Sequence, residues 1–286
     1  MKKYIKLMRV HHYIKNLLIL LPLVFSGNIF DSSYFVNIIC GFVSFCLVSS
    51  IVYIINDIQD VESDKNHSTK CKRPIASGAV SISKAKNLVR ILTIIILILL
   101  MLIKINTINY LLLITAYFVI NIFYSVGLKN VPIVDIAILV SGFILRVLFG
   151  SAITGIEVSN WLYLTVMSIS FYLALGKRRN EIKKQKDTRS VLQFYNFEFL
   201  DKNMYISMAC SIVFYSLWCV DVDTISRYQT NALVWTVPIV MLIAMKYSLI
   251  TEGTSDGDPV EVILGDKTLI LMILVYVAVL FGIIYF

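Results

Sequence analysis

Residues 33–64 read SYFVNIICGFVSFCLVSSIVYIINDIQDVESD, and this stretch decides the fold. Its first part, 33–55, contains no charged residue. That run is long enough to cross a bilayer as one helix, because a crossing takes about 20 apolar residues. Its second part, 56–64, places an asparagine and four acidic residues directly after the helix. The stretch therefore predicts a membrane-spanning helix with an acidic end.

The rest of the chain repeats this apolar pattern. Of its 286 residues, 58% are hydrophobic and 15% are charged, and the mean hydropathy is +0.80. Because a soluble domain carries about a quarter charged residues, a water-soluble globule is excluded. Lipid-facing backbone is satisfied only in helices or closed barrels, and the runs are too long for barrel strands. We predict an all-α, polytopic membrane protein with nine transmembrane helices, forming one integral membrane domain over 1–286. The predicted spans are 14–30, 33–55, 86–104, 107–125, 132–153, 160–177, 204–222, 231–250 and 267–286.

The basic residues lie almost entirely on one side of these spans. All but three of the 26 Lys and Arg fall in segments that the nine spans bring to one face. By the positive-inside rule this face is cytoplasmic, so we predict a protein of the plasma or inner membrane. The loops near 56–85, 124–135 and 177–203 then lie on the cytoplasmic side, where they can converge over one cavity. The net charge of +8 describes this face, and no nucleic-acid partner is needed to explain it.

The acidic end of the second span carries the strongest chemical signal. An asparagine and three carboxylates share an arc of about 100° on an ideal helix. Like charges so close repel each other unless a cation lies between them, and oxygen ligands without histidine or cysteine suit Mg²⁺. Because Mg²⁺ shares its shell with water and substrate phosphate, we predict a phosphorylated substrate. The residues of this face are Asn56, Asp57, Asp60 and Asp64.

Basic residues follow these acids closely and include Lys70 and Arg73. Metal-bridged phosphate with flanking cations is a recurrent way to hold a diphosphate leaving group. An ordinary solvated loop of mixed charge is the alternative. Two further basic junctions, YSVGLKNVPIVD and GKRRNEIKKQKDTR, follow the fourth and sixth spans, and each is either a topology signal or a second anion site. They supply Tyr124, Lys129, Asp135, Lys177 and Arg178.

Arg146 lies within the fifth predicted span. A charged residue at that depth is functional by default, because its burial in hydrocarbon is costly. The alternative is a pair with a backbone carbonyl or a buried partner. The sequence leaves both possibilities open.

The motif NDxxDxxxD after the second of nine spans resembles the UbiA superfamily of intramembrane prenyltransferases, over nearly the whole chain. Most members carry a second aspartate-rich motif after the sixth span, whereas this sequence has GKRRNEIKK there. Six segments in order are similar to the branch of decaprenyl-phosphate phosphoribosyltransferases. These segments are HHYIKNLLILLPL, NDIQDVESDKNHSTKCKRPIASG, YSVGLKNVPIVD, LALGKRRNE, RSVLQFYNFEFLD and MKYSLITEGTSDGDPVEVILGDKTL.

The resemblance implies a UbiA-like bundle that transfers 5-phosphoribose from 5-phosphoribosyl-1-diphosphate to a polyprenyl (decaprenyl) phosphate lipid and releases pyrophosphate. It implies that Asp57, Asp60 and Asp64 are catalytic and hold Mg²⁺ on the diphosphate. It further implies a set of substrate-binding residues around them. This set is Lys15, Asn16, Asn56, Lys70, Arg73, Tyr124, Lys129, Asp135, Arg146, Lys177 and Arg178.

Two other functions are weighed against this one. A prenyltransferase that joins an isoprenoid diphosphate to an aromatic acceptor has the same fold, but it predicts a second acidic cluster near 177–190. Only Glu181 and Asp187 occur there. A transporter predicts midplane broken helices and internal repeats, and the sequence shows no clear repeat.

Overall fold

The computed structural model is helical wherever it has regular secondary structure, within the residues that it describes. The all-α class predicted from the sequence is therefore confirmed. The described residues are 2–67, 69–105, 107–183, 190–253 and 259–286.

Thirteen α-helices follow one another along this described part of the chain. Short 3-10 helices precede several of them, and the longest is Val10–Leu20, here called the 10–20 segment. The α-helices are α1 (Lys2–Met8), α2 (Leu21–Val24), α3 (Phe35–Gln59), α4 (Val61–Lys65), α5 (Ile82–Met101), α6 (Asn109–Val126), α7 (Val134–Thr154), α8 (Asn160–Lys183), α9 (Phe197–Val220), α10 (Val222–Tyr228), α11 (Val237–Glu252), α12 (Pro259–Gly265) and α13 (Lys267–Tyr285).

Six helical segments of the described residues are long and apolar enough to cross a membrane. They coincide with six of the nine predicted spans, and the chain is an integral membrane protein with multiple apolar helices. The other three predicted spans are also helical: the first is the shorter apolar stretch Val10–Val24, and the third and sixth are α5 and α8. The six segments are Ser32–Gln59, Asn109–Val126, Val134–Thr154, Phe197–Val220, Ala232–Glu252 and Lys267–Tyr285.

Polar side chains define where several of these helices begin. The first backbone N–H groups of a helix have no partner within it, so a side chain at the N-cap accepts their hydrogen bonds. Ser81 does this for α5, Asn196 for α9 and Asp266 for α13. The backbone N–H of Leu269, followed by the ammonium group of Lys246, lowers the pKa of the Asp266 carboxyl. These caps fix the ends of helices whose apolar sequences alone specify no boundary.

The helices form two compact units, which are described separately. Helix α7 contributes its first half to one unit and its second half to the other. Unit 1 comprises Met1–Leu23, Asn28–Gly127 and Leu145–Ile156, and unit 2 comprises Val24–Gly27, Leu128–Ile144 and Glu157–Phe286.

Helix α3 forms the centre of unit 1. It packs against α1, the 10–20 segment, α5 and α6. It is apolar on all sides, as expected for a helix surrounded by others, and Phe45 and Ile54 have no exposed surface. Because neighbouring segments enclose α3 along its length, the acidic residues at its C-terminal end are placed beside polar groups from those segments.

Unit 2 is built around the pairing of α8 with α9. Leu200 and Met204 of α9 are fully buried in one apolar cluster, which also includes Leu269 of α13. A second cluster joins Trp218 of α9 to Leu233, which precedes α11. The first of these clusters includes Tyr172, Ala174 and Leu175 and so holds the C-terminal part of α8, which carries the basic GKRR sequence.

Candidate active site

The predicted acidic face lies where α3 ends. The sequence predicts one helix face over 56–64, but α3 ends at Gln59, and Asp60 leaves the helical backbone with φ −88° and ψ 8° before α4 begins. The backbone N–H of Asp64 still donates to the carbonyl of Asp60 at 2.8 Å, so the turn is tight. The prediction of a single helix face is therefore wrong, because Asp64 belongs to a separate short helix.

Asp57 and Asp64 are nevertheless joined by one guanidinium group. The Nη1 atom of Arg73 donates to Oδ1 of Asp57 at 3.2 Å and to Oδ2 of Asp64 at 2.7 Å. Both aspartates are buried, with 2% and 3% of their surface exposed. A buried carboxylate is costly unless it is paired, and Arg73 offsets that cost for both acids at once. Three residues predicted for one site thus lie together.

A second guanidinium group reaches the same carboxylate. The Nη2 atom of Arg9 donates to Oδ1 of Asp57 at 2.6 Å, and its guanidinium carbon lies 4.6 Å from the ring centroid of Tyr53. The cluster therefore contains two carboxylates and two guanidinium groups. The side chains of Arg9 and Arg73 keep 19% and 25% of their surface exposed, whereas those of Asp57 and Asp64 keep 2% and 4%. Its accessible edge is cationic.

The backbone of Arg9 is unusual. It has φ 51° and ψ 48°, in the left-handed region, at the junction between α1 and the 10–20 segment. A non-glycine residue in this region costs free energy and persists only where surrounding contacts hold it, which is typical of functional sites. The contacts of Arg9 with Asp57 and Tyr53 are of this kind.

Sequence reasoning missed Arg9 as a site residue. It counted Arg9 only among the basic residues that set the topology. A usable signal nevertheless exists, because consecutive spans are antiparallel and the start of the first span lies beside the end of the second. A basic residue just before the first span is therefore a candidate partner for Asp57.

Two lysines of α1 hold the loop that carries Arg73. The Nζ atom of Lys6 donates to the carbonyl of Lys72 at 3.0 Å, and that of Lys3 donates to the carbonyl of Ala79 at 3.2 Å. Apolar side chains from α1 and from this loop share the core of unit 1. The position of Arg73 is thus fixed by α1, which lies outside the sequence motif of residues 56–78.

The third predicted metal ligand, Asp60, is half-buried, as are Asn56 and Lys70. Among the described residues, no group of three His, Cys, Asp or Glu side chains is arranged to hold a metal ion. The three-carboxylate magnesium site of Asp57, Asp60 and Asp64 stays a prediction, and two of its members, Asp57 and Asp64, share the guanidinium group of Arg73. These two still fit Mg²⁺, because its ligands are hard oxygen atoms and it takes only one or two protein carboxylates.

Four other predicted residues keep accessible surface. Lys15 and Tyr124 belong to unit 1, and Lys129 and Lys177 belong to unit 2. All four are half-buried.

Asn16 and Arg146, by contrast, are enclosed within unit 1, with 1% and 7% of their surface exposed. The Nε atom of Arg146 donates to Oδ1 of Asn16 at 2.7 Å, and its Nη2 atom donates to the hydroxyl of Tyr117 at 3.0 Å. Both residues were predicted to bind substrate. In the structure their polar atoms bind each other and Tyr117 in a packed interior.

Arg178 is likewise enclosed, in unit 2. Its Nε atom donates to Oδ2 of Asp135 at 2.6 Å, and its Nη1 atom donates to Glu181 at 2.8 Å. Neither Arg178 nor Asp135 has exposed surface. Both were predicted to bind substrate; in the structure the guanidinium group of Arg178 has no exposed surface and is paired with two carboxylates.

Tyr195 completes this buried pair. Its hydroxyl donates to Oδ1 of Asp135 at 2.6 Å and accepts from the backbone N–H of Ile133. Burial, followed by the bond to Asp135, raises the pKa of Tyr195 to about 12. The hydroxyl therefore remains protonated and keeps donating across the physiological pH range.

Arg179 forms a second ion cluster in unit 2. It lies 2.7 Å from carboxylate oxygens of both Asp201 and Glu252, and only 3% of its side chain is exposed. Lys183 adds a bond from Nζ to the backbone carbonyl of Glu252 at 2.6 Å. Sequence reasoning did not predict this cluster, because its members are far apart in the chain and form no motif.

Comparison with known proteins identifies the relatives of this chain. Residues 18–251 match the UbiA prenyltransferase family. The chain belongs to this family. It is 31% identical over 301 residues to the decaprenyl-phosphate phosphoribosyltransferase of Mycolicibacterium smegmatis, covering 99% of this chain and 92% of that relative. It is also 31% identical over 283 residues to the Corynebacterium glutamicum protein of the same name, covering 96% and 84%.

The fold agrees with that of a solved UbiA homologue. The structure of this homologue from Archaeoglobus fulgidus, bound to GPP and Mg²⁺, matches with a TM-score of 0.71 and 17% sequence identity. The match covers 99% of this chain and 100% of the homologue. The UbiA-like bundle predicted from the sequence is therefore confirmed.

This UbiA family member differs from the pattern predicted for most members in the region after α8. Basic residues occur there, and the described carboxylates nearby are paired with cations: Glu181 with Arg178, Glu198 with Lys202, and Asp201 with Arg179. Asp187, and with it 184–189 of the predicted 177–203 loop, lies outside the described residues, as does 254–258.

Proposed function

We propose that this chain is a Mg²⁺-dependent polyprenyl-phosphate phosphoribosyltransferase in the plasma or inner membrane, with its active site facing the cytoplasm. It transfers 5-phosphoribose from 5-phosphoribosyl-1-diphosphate to a polyprenyl phosphate, such as decaprenyl phosphate, and releases pyrophosphate. The observation that carries the proposal is 31% identity, across 99% of the chain, to a relative that bears this name. The charged cluster of unit 1 supports it with a site of suitable chemistry.

Asp57 and Asp64 are the residues that would hold the metal ion. They supply two buried carboxylate groups, whose oxygen atoms are hard ligands. In this structure these carboxylates form ion pairs with the guanidinium groups of Arg9 and Arg73. When bound, Mg²⁺ neutralises the diphosphate and stabilises the charge that develops as it leaves. Asp60 and Asn56, half-buried at the same turn, complete the polar lining.

Arg9 and Arg73 are the proposed diphosphate-binding cations of this chain. Their side chains keep 19% and 25% of their surface exposed, and each guanidinium group has more N–H donors than its bonds to the carboxylates use. A planar guanidinium group binds phosphate oxygens in pairs, which adds orientation to charge. Lys70 adds a cation to the same loop.

The reaction is one displacement at the ribose. An oxygen of the lipid phosphate forms a bond to C1, and the bond from C1 to the diphosphate oxygen breaks with its electron pair on pyrophosphate. The lipid phosphate is already anionic near pH 7, so no general base is required, and positioning with charge stabilisation supplies the catalysis. Lys15 and Tyr124 of unit 1 are proposed to hold the 5-phosphate or the lipid phosphate.

A direct assay tests this function. Purified protein in lipid nanodiscs is incubated with labelled 5-phosphoribosyl-1-diphosphate, decaprenyl phosphate and Mg²⁺. We expect a labelled lipid and free pyrophosphate, both abolished by chelation of the metal. Absence of the labelled lipid, together with transfer from GPP to an aromatic acid, would instead establish a prenyltransferase.

A further inference from the structure

The 10–20 segment has a conformation that it cannot maintain alone. It is an 11-residue 3-10 helix. Runs of this kind longer than three or four residues are uncommon, because their hydrogen-bond geometry is poor and the side chains at i and i+3 eclipse each other. The segment therefore depends on contacts with its neighbours for its form.

Arg146 supplies the central contact. It projects from α7 and holds Oδ1 of Asn16 at 2.7 Å, while the Nδ2 atom of Asn16 donates to Sγ of Cys46 at 3.1 Å. The guanidinium group is itself oriented by the hydroxyl of Tyr117 and by the ring of Phe45, 5.4 Å from its carbon. Asn16 is thus hydrogen-bonded to Arg146 of α7 and to Cys46 of α3.

One turn further along α7, Gly150 lets the backbones meet. A Cβ atom at this position would overlap the carbonyl oxygen of Ile19, so only glycine permits the approach. Arg146 and Gly150 lie four residues apart and therefore on one helix face. That face of α7 therefore holds the 10–20 segment in place by two contacts. One is the hydrogen bond from Arg146 to Asn16, and the other is the close backbone approach of Gly150 to Ile19.

The far end of the same segment carries Arg9. Tyr13 bonds its hydroxyl to Ser50 at 2.8 Å, Ser50 donates to the carbonyl of Met8 at 2.9 Å, and Arg9 reaches Asp57 at 2.6 Å. These contacts run antiparallel along α3. At about 2 Å of rise per residue, Arg9 lies about 14 Å from Asn16 along the segment, so a shift at Asn16 is transmitted to Arg9.

We infer that Arg146 is a positioning residue, which locks the 10–20 segment in the register that places Arg9 on Asp57. It acts through Arg9 and does not contact substrate. The inference deepens the proposed function and rests on it for its kinetic readout. Its structural readout, the order of the 10–20 segment, does not depend on which reaction the chain catalyses.

A double-mutant cycle tests the coupling. The variants Arg9→Gln, Arg146→Met and their combination are assayed for labelled lipid product, with the concentrations of diphosphate donor and lipid phosphate varied in turn. Misplacement of a site group by about 1 Å can cost about a hundredfold. We expect each single variant to raise KM for the donor about ten- to a hundredfold, with KM for the lipid unchanged and no further rise in the double variant. Multiplied effects would overturn the inference.

Hydrogen–deuterium exchange of the intact protein provides the second readout. Arg146→Met should increase exchange of the backbone amides of residues 10–20, whereas Arg9→Gln should not. Unchanged exchange in Arg146→Met would overturn the inference even if the kinetics agreed. If the wild type forms no labelled lipid, the proposed function fails, and the exchange result still decides the role of Arg146.

Milder variants guard against loss of folding. Tyr117→Phe removes one acceptor of Arg146 but keeps the ring, and it should raise KM for the donor less than Arg146→Met does. Tyr110→Phe is the matched control, since Tyr110 is also buried on α6 but donates to the carbonyl of Leu100. Equal effects of the two tyrosine variants would contradict a role specific to Arg146.

Discussion

The charged clusters of unit 1 and unit 2 use the same residue types in opposite ways. In unit 1 the carboxylates are buried, and the guanidinium groups of Arg9 and Arg73 keep 19% and 25% of their side chains exposed. In unit 2 the side chains of Arg178 and Arg179 keep 0% and 3%, and Glu252 and other acids lie nearer the surface, with 36% of Glu252 exposed. Unit 1 presents a cationic edge to an anion, whereas unit 2 encloses its cations.

This difference in exposure indicates that the arginines of unit 1 are available to bind an anion and that those of unit 2 stabilise the fold. A buried ion pair is costly to break because it leaves an uncompensated charge, so the arginines of unit 2 stabilise the folded state without being available to ligand. Partly exposed arginines that already share carboxylates can instead exchange partners when a phosphate arrives. The composition of the GKRR sequence predicts an anion site, yet both of its arginines are buried and paired with carboxylates.

Arg178→Met should have the largest effect. It leaves Asp135 and Glu181 without their shared cation, so the free energy of unfolding should fall by about 3–5 kcal/mol. Thermal or denaturant unfolding in detergent measures this. Adding Asp135→Leu should recover part of the loss, and Arg90→Met, at an exposed position, serves as the control. A loss no larger than that of the control would contradict the structural role of unit 2's arginines.

Asp57→Asn should abolish most activity while the fold is retained. It removes the carboxylate that both Arg9 and Arg73 contact and that is proposed to hold the metal, so we expect a loss of roughly a hundredfold or more in labelled lipid formation. The matched control is Asp223→Asn, an exposed aspartate of α10 in unit 2. Equal activity in the two variants would contradict the proposal that the charged cluster of unit 1 binds substrate.

Arg73→Lys should have an intermediate effect. Lysine carries the same charge but lacks the planar fork that spans Asp57 and Asp64, so KM for the diphosphate donor should rise about tenfold. The corresponding change in unit 2, Arg179→Lys, should lower the unfolding temperature and leave KM unchanged. The opposite result would contradict the difference between the units: Arg179→Lys would raise KM for the donor, and Arg73→Lys would only lower the unfolding temperature.

Tyr195→Phe should have the smallest effect, about 1 kcal/mol of unfolding free energy, because the hydroxyl no longer donates to Asp135 or accepts from the N–H of Ile133. The pKa of Tyr195 is raised from 10.0 to about 12 in the folded chain, so the folded state favours the protonated hydroxyl. That contribution is complete below pH 10 and is lost as the pH rises to about 12. Unfolding curves between pH 7 and pH 12 should show the wild type converging on the variant, and parallel curves would contradict the assignment.

Much of the fold was predictable from the sequence. Every predicted span is helical, because an apolar run in lipid has few other ways to satisfy its backbone. The helix ends were less predictable. Periodicity predicts one helix face for the acidic stretch, but α3 ends at Gln59, and α4 begins at Val61 after the non-helical Asp60.

The site was predictable in part. Asp57, Asp64 and Arg73 lie within one motif, and local spacing was enough to group them. Arg9 and Arg146 were beyond such reasoning, because each acts on a partner more than forty residues away. Exposure was equally hidden, since Arg178 and Arg73 look alike as residues and differ only in what surrounds them.

By itself, the sequence determined that the chain lies in a membrane, that it is helical, and that its acids and bases are concentrated at a few helix ends. Those features follow from side-chain hydropathy and short-range spacing, which every sequence displays directly. Only the tertiary structure decided which arginine meets which carboxylate and which of them keeps an exposed edge. Such pairing depends on how helices from distant parts of the chain pack, because a charge finds its partner in space and not along the sequence.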